Sequence, residues 1–179
     1  MIYMFLANGF EEVEALCPLD LLRRAGLDIK TVGIGSKLIT GAHNITVEAD
    51  ITDTELADPH PDMIILPGGM PGTTNLDSSP VVDAAIRSAL EDNAYIAAIC
   101  AAPMILGKRG MLNGKRAICY PGFEQHLDGA TLTEEKVAVD GRIITAAGMG
   151  VALDFGLTLV SLLVGDETAA KIRSAIIAK

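Results

Sequence analysis

Short apolar runs alternate with amphipathic stretches along the chain of 179 residues. Residues 2–7 are an unbroken apolar run of strand length. Residues 11–25 follow, with Val13, Leu16, Leu19, Leu21 and Leu22 at roughly helical spacing and Gly26 closing the pattern, which predicts a helix. Residues 29–34 are rich in β-branched side chains and predict a second strand. Residues 38–49 alternate around Gly41 and predict a hairpin-like pair. Met63–Leu66 reads as a buried strand ending in Pro67-Gly68-Gly69, and Pro80–Glu91 as a helix with Pro80 at its start. Tyr95–Ile99 is another strand, with a helix opening over 101–107, and 116–119 is strand-like. Residues 137–139 and Ile143–Ala146 flank Asp140-Gly141, a hairpin turn signal. Ala152, Phe155, Gly156, Leu159, Val160 and Leu163 form one apolar stripe, stopped by Gly165. Asp166 is then expected to cap a last helix reaching about Ile177.

No repeat, linker or low-complexity tract interrupts this pattern, so residues 1–179 read as a single domain. Strands that are apolar throughout, alternating with helices, imply an α/β fold whose mostly parallel central sheet is covered on both faces. In such sheets ligands bind beyond the carboxyl ends of the strands, near the point where strand order reverses. Residues 9–14, residues 67–69 and Cys100 all fall at strand ends.

Composition narrows the function classes. Half the residues are apolar, enough for one sizeable core, and 14 basic residues against 23 acidic ones leave a net charge of −9. That acidity argues against nucleic acid as a partner, because phosphate binding needs a basic face. The longest uncharged apolar stretch, 95–107, is shorter than the roughly 20 residues that cross a bilayer. The apolar start lacks a basic leader and runs into Glu11, Glu12 and Glu14, which fits a strand better than a secretory signal. A soluble cytoplasmic protein is expected. Three cysteines, Cys17, Cys100 and Cys119, are an odd number at irregular spacing. Neither a disulfide framework nor a metal-ligand spacing is visible.

The sharpest chemical feature is Ala97-Ala98-Ile99-Cys100-Ala101-Ala102-Pro103. An apolar strand ends at a cysteine and small residues follow as a helix opens, the pattern of a nucleophile elbow. A helix N-terminus favours thiolate over thiol, and Pro103 suits a first helical turn. The plain alternative is a core cysteine acting as a small hydrophobe. A glycine pair after a buried strand allows close approach of amides, so Gly69 N–H and Ala101 N–H are candidates to stabilise a negative oxygen, against an ordinary turn. Of Glu11, Glu12 and Glu14, a solvated cap at the helix start explains at least two. One is a candidate to point inward as a protonated acid that hydrogen-bonds to sulfur and shuttles a proton; spacing alone does not choose among the three. His43, His60 and His126 read as surface histidines, with His126 the only distant candidate base. Cys17 and Cys119 read as core residues.

Several motifs together carry a family likeness. Gly9-Phe10-Glu11-Glu12-Val13-Glu14, Pro18-Leu19-Asp20, Arg23-Arg24-Ala25-Gly26, Leu66-Pro67-Gly68-Gly69, the 97–103 segment and residues 148–163 resemble the ThiJ/PfpI superfamily. The similarity is to its branch named for the Parkinson-disease-linked deglycase, in bacterial form, and it spans essentially the whole chain. The resemblance implies a flavodoxin-like three-layer sandwich with a nucleophile elbow, a homodimer, and a site without cofactor or metal. By motif it implies Cys100 as nucleophile, Glu14 as its proton-sharing partner, and Gly69 and Ala101 as oxyanion-binding amides, with Gly68 and Tyr120 beside them.

The activities implied are glutathione-independent conversion of dicarbonyls such as methylglyoxal to hydroxy acids, and repair of early glycation adducts. The alternative is a non-enzymatic oxidative-stress sensor or chaperone-like protector that uses the same oxidisable Cys100. Two departures stand out. Tyr120, in Cys119-Tyr120-Pro121-Gly122, takes the place of a histidine common in the family, and phenol is a poor base near neutral pH. Ala147 replaces an occasional arginine, so anionic substrates would be held less firmly. A peptidase is disfavoured because Ala101, not histidine, follows the cysteine. An amidotransferase would need a downstream His-x-Glu pair, and a nucleotide binder a glycine-rich or lysine-bearing phosphate loop.

Overall fold

The computed structural model describes residues 1–56 and 60–178. Its strands are β1 (Ile2–Leu6), β2 (Ile29–Gly33), β3 (Leu38–Thr40), β4 (Thr46–Glu48), β5 (Ile51–Thr52), β6 (Met63–Leu66), β7 (Tyr95–Ile99), β8 (Arg116–Ala117), β9 (Thr131–Leu132), β10 (Val137–Asp140) and β11 (Ile143–Ala146). Its helices are α1 (Glu12–Arg24), α2 (Gly72–Asp77), α3 (Pro80–Glu91), α4 (Pro103–Lys108), α5 (Ala152–Val164) and α6 (Asp166–Ala175).

Seven strands form one sheet in the order β10-β11-β7-β6-β1-β2-β5. Every neighbouring pair is parallel except β10–β11, the hairpin that Asp140-Gly141 predicts. β3 and β4 make the separate antiparallel hairpin expected around Gly41. From β1 the chain winds outward through β2, then returns to β6 on the other side of β1 and continues through β7 to β11. The carboxyl ends of β1 and β6 therefore flank the point where strand order reverses, which is where an open parallel sheet leaves a crevice.

Two cores line the two faces. Successive side chains of a strand point to opposite faces. Tyr3, Phe5, Ile64, Leu66, Ile96 and Ala98 accordingly pack with Val82, Ile86 and Ala89 of α3 and Ile105 and Leu106 of α4. Ile2, Met4, Leu6, Met63, Ile65, Ala97 and Ile99 pack beneath Leu19 and Leu22 of α1, Phe155 and Leu159 of α5, and Ile172 of α6. The result is the mostly parallel, flavodoxin-like three-layer sandwich expected from the sequence. Among the described residues no helix is long and apolar enough to cross a membrane.

On the second face α1 and α5 touch closely because Gly156 has no side chain. A Cβ there would lie 2.6 Å from Leu21 Cδ1 and 2.9 Å from Pro18 Cα. Gly156→Val is expected to push the helices apart and cost about 2 kcal/mol, read as a lower urea midpoint at unchanged slope.

Three local readings differ, and one helix has no counterpart in the sequence pattern. Gly165, with φ +92°, occupies the cap of α6, and Asp166 is its first residue, where Ser161 Oγ donates to its carboxylate. The strand expected over 116–119 stops at Ala117; Ile118 N–H is taken instead by Thr145 Oγ1, a side chain that ends the ladder. The helix expected over 101–107 starts at Pro103, after a turn through Ala101 and Ala102. Finally, α2 carries no amphipathic signature, since Gly72-Thr73-Thr74-Asn75 is polar.

Candidate active site

Cys100 stands directly after β7, on the turn into α4, with φ +64°. That left-handed conformation costs a non-glycine residue roughly 1–2 kcal/mol. Two backbone bonds hold it: Cys100 N–H donates to Ala146 C=O at 2.9 Å, and Cys100 C=O accepts from Tyr120 N–H at 2.8 Å. Ala101 and Ala102 are buried, so a larger side chain would have no room beside the turn. Cys100 and Cys17 are both partly exposed, while Cys119 is buried. Burial pushes the Cys119 thiol up to about 11.

Glu14 reaches this turn from α1 and is 0% exposed. The three glutamates separate into three roles. Glu11 caps α1, its Oε2 accepting Glu14 N–H at 2.8 Å. Glu12 is not solvated as a cap would be; it is 2% exposed and accepts the N–H groups of His43 and Ile45 from the β3–β4 hairpin. Glu14 alone faces Cys100. Its Oε2 accepts Gly68 N–H at 3.0 Å, and its Oε1 is buried without a hydrogen bond of ordinary geometry. Burial raises the Glu14 carboxyl to about 7; the Cys100 thiol and the N–H groups of Gly68 and Met149 pull against that rise.

The glycine pair after β6 is the other wall. A Cβ on Gly68 would lie 2.6 Å from both Cys100 Cβ and Glu14 Oε2. Gly69 has φ +85°, and its Cβ would lie 2.3 Å from Glu11 N. Only glycines let this backbone come up against the cysteine and α1. The N–H groups of Gly69 and Ala101 both favour the ionised sulfur, so the two amides expected to face an oxyanion are turned toward the sulfur itself.

The thiol nevertheless does not behave as a dipole-activated cysteine. Burial first, and then the Glu14 carboxylate, push Cys100 up to about 12. The expected gain from a helix N-terminus is outweighed because α4 begins three residues later and a carboxyl sits at the sulfur. Cys100 and Glu14 form a coupled pair that titrates in two steps. Glu14 loses its proton near 7 while the thiol holds its own to about 12, which leaves the pair with one proton across the neutral range.

The other sequence-selected residues fall outside this pair. Tyr120 holds Cys100 through its backbone, but its side chain is 51% exposed and its ring lies against Gly148. His126 meets Gln125 and Phe123, and its carbonyl abuts Gly107 of α4. His60 pairs with Asp92. His43 is exposed, as expected, yet its Nδ1 lies 2.8 Å from Glu12 Oε2. Met149 N–H, beside the Glu14 carboxyl, was not singled out from the sequence; its only signal is the Gly148-Met149-Gly150 turn.

Comparison with known proteins fits this arrangement. Residues 1–162 match the DJ-1/PfpI family. "Protein DJ-1 homolog B" of Arabidopsis thaliana is 35% identical over 175 residues, covering 96% of this chain and 40% of the relative. The chain thus spans less than half the length of that protein and of its homolog A. "Glutathione-independent glyoxalase DJR-1.2" of Caenorhabditis elegans is 29% identical over 159 residues, covering 88% of this chain and 84% of the relative. The crystal structure of Drosophila melanogaster DJ-1beta superposes with a TM-score of 0.95 at 30% identity, covering 99% of this chain and 97% of that one. With its sheet order, its cysteine turn and this match over nearly all its length, the chain belongs to the DJ-1/PfpI family.

Proposed function

We propose that the protein is a cofactor-independent, glutathione-independent glyoxalase acting on small dicarbonyls, with repair of early glycation adducts as a related use of the same site. The carrying observation is a fully buried Glu14 carboxyl, raised to about 7, set against Cys100 with the Gly69 and Ala101 amides toward the sulfur. A relative named as a glutathione-independent glyoxalase supports the reading.

The chemistry follows from the shared proton. As the Cys100 thiol passes its proton to the Glu14 carboxylate, the sulfur adds to the aldehyde carbon of methylglyoxal, forming a C–S bond. The new oxyanion takes the proton from Glu14, with Gly69 and Ala101 N–H near the charge. The Glu14 carboxylate then removes the proton on the sulfur-bearing carbon and returns it to the neighbouring carbon, while the hydroxyl proton passes between the two oxygens. The product is a thioester of lactate. Glu14 takes a proton from the water that attacks it, the C–S bond breaks, and the sulfur leaves as thiol while lactate separates. No electron leaves the substrate, so no redox partner is needed. Homodimerisation, a cytoplasmic setting and one domain over residues 1–179 complete this reading and rest on the family likeness.

The pH profile tests the role of Glu14. kcat/KM is expected to rise with pH through about 7, as the pair loses its first proton. In Glu14→Gln that rise disappears and turnover falls by about 10²-fold. The thiol pKa falls as well, because the neighbouring carboxylate that raises it is gone. An unchanged profile in Glu14→Gln would rule out the shared proton.

A further inference from the structure

We propose that Glu11, Glu12 and His43 form a site for a divalent cation of the zinc class, separate from the cysteine. Folding brings these donors together from two elements. Glu11 and Glu12 stand at the start of α1, and His43 lies in the turn between β3 and β4, 31 residues beyond Glu12. One oxygen of each carboxylate and one nitrogen of the imidazole lie within 4.8 Å of one another, and this is the sole such group among the described residues. Nδ1 is 2.8 Å from Glu12 Oε2 and 3.9 Å from Glu11 Oε1. A tetrahedral zinc ion with bonds of about 2.0–2.2 Å sets its ligands roughly 3.3–3.6 Å apart, and the two separations lie on either side of that spacing.

Backbone N–H groups hold one oxygen of each carboxylate. Glu11 Oε2 is occupied by Glu14 N–H, which leaves Oε1 turned toward His43. Glu12 Oε1 is occupied by backbone N–H groups of the hairpin, at 2.7 Å from His43 and 3.4 Å from Ile45, which leaves Oε2 toward Nδ1. Carboxylates fixed through one oxygen while the other faces the ligand are the usual support of a metal site. The hairpin is also shaped around Glu12. A Cβ on Gly41 would lie 2.3 Å from Glu12 Oε1, and Ala42 N–H is tied to Phe10 C=O at 2.8 Å.

Charge points the same way. Among the described residues neither Glu11 nor Glu12 has a lysine or arginine partner; His43 alone pairs with them. The Glu12 side chain is 3% exposed and that of Glu11 14%, so water screens neither well. A His43–Glu12 ion pair accounts for one carboxylate, and the other, Glu11, rests on the N-terminus of α1 with no lysine or arginine partner among the described residues. A dication on two carboxylates and a neutral imidazole balances both. One nitrogen and two oxygens make a donor set that zinc accepts, and the 69% exposed His43 side chain leaves an open side for entry and for water ligands.

Equilibrium dialysis against Zn²⁺ near neutral pH, followed by metal analysis, tests the site. One ion per chain is expected in the wild type and in Cys100→Ala. Affinity is expected to fall by at least about ten-fold in His43→Ala and in Glu11→Gln. His43→Asp, which restores an oxygen donor in the same exposed turn, is expected to recover part of it. Co²⁺ provides a second readout: its complex should show visible bands without sulfur-to-metal charge transfer. Circular dichroism of each variant separates loss of the site from loss of the fold. Binding that survives His43→Ala and vanishes in Cys100→Ala would put the ion on the cysteine and overturn the proposal. Binding that is absent in the wild type, or equally weak in every variant, would overturn it too.

Discussion

Cys100→Ala is expected to lower lactate formation from methylglyoxal by at least about 10³-fold, because the covalent step loses its only nucleophile. Cys100→Ser should be nearly as inactive, since a hydroxyl in the same buried setting holds its proton more tightly than a thiol. Neither change should unfold the protein. The left-handed backbone at position 100 is held by Ala146 and Tyr120 through main-chain bonds that no side chain supplies. The Glu14 carboxyl should move further above 7 in Cys100→Ala, because the thiol is the largest of the influences that lower it. A stopped enzymatic assay for lactate, alongside circular dichroism, measures both effects. Wild-type rates in Cys100→Ala would remove the sulfur from the mechanism and with it the reading of the whole site.

Gly69→Ala should do the reverse and damage the fold as well as the site. The substitution forces a side chain onto φ +85° and sets its Cβ 2.3 Å from Glu11 N, 2.6 Å from Phe10 C and 2.7 Å from Gly9 O. All three are backbone atoms, so no rotamer change relieves the contact. The segment between β1 and α1 must shift, and it carries the Glu11 N–H···Gly68 C=O bond at 2.9 Å that ties α1 to β6. A loss of about 3–5 kcal/mol is expected, among the largest effects of a single substitution. Urea denaturation checks it. Whatever folded enzyme remains should turn over slowly, because Gly69 N–H leaves the sulfur and Glu14 moves with α1. A destabilisation below about 1 kcal/mol would mean that the glycine pair is an ordinary turn.

Much of the fold was legible along the chain because its signals are local. β6, α3, β7 and β11 begin and end where apolar runs and turn residues predict. The polar α2 and the two-residue strands β5 and β9 leave no signal in the sequence, being too short or too polar to carry a period. The elbow was legible for the same local reason: a strand, a cysteine, small residues and a proline lie within seven positions.

The amino-acid order by itself determined the layered α/β architecture and the strand-end position of Cys100, since both follow from spacing and residue type, whereas the need for glycine at 68 and 69 shows only in the close approach of folded backbone. It did not determine which of three adjacent glutamates turns inward, the meeting of His43 with Glu12, or the proton affinity of the sulfur. Those depend on groups far apart in the chain and on how much water the packed helices exclude. Glu14 and Cys100 are both raised first by burial, and Cys100 further by the carboxyl that sits beside it. Desolvation is a property of the assembled crevice, and only tertiary structure decides it.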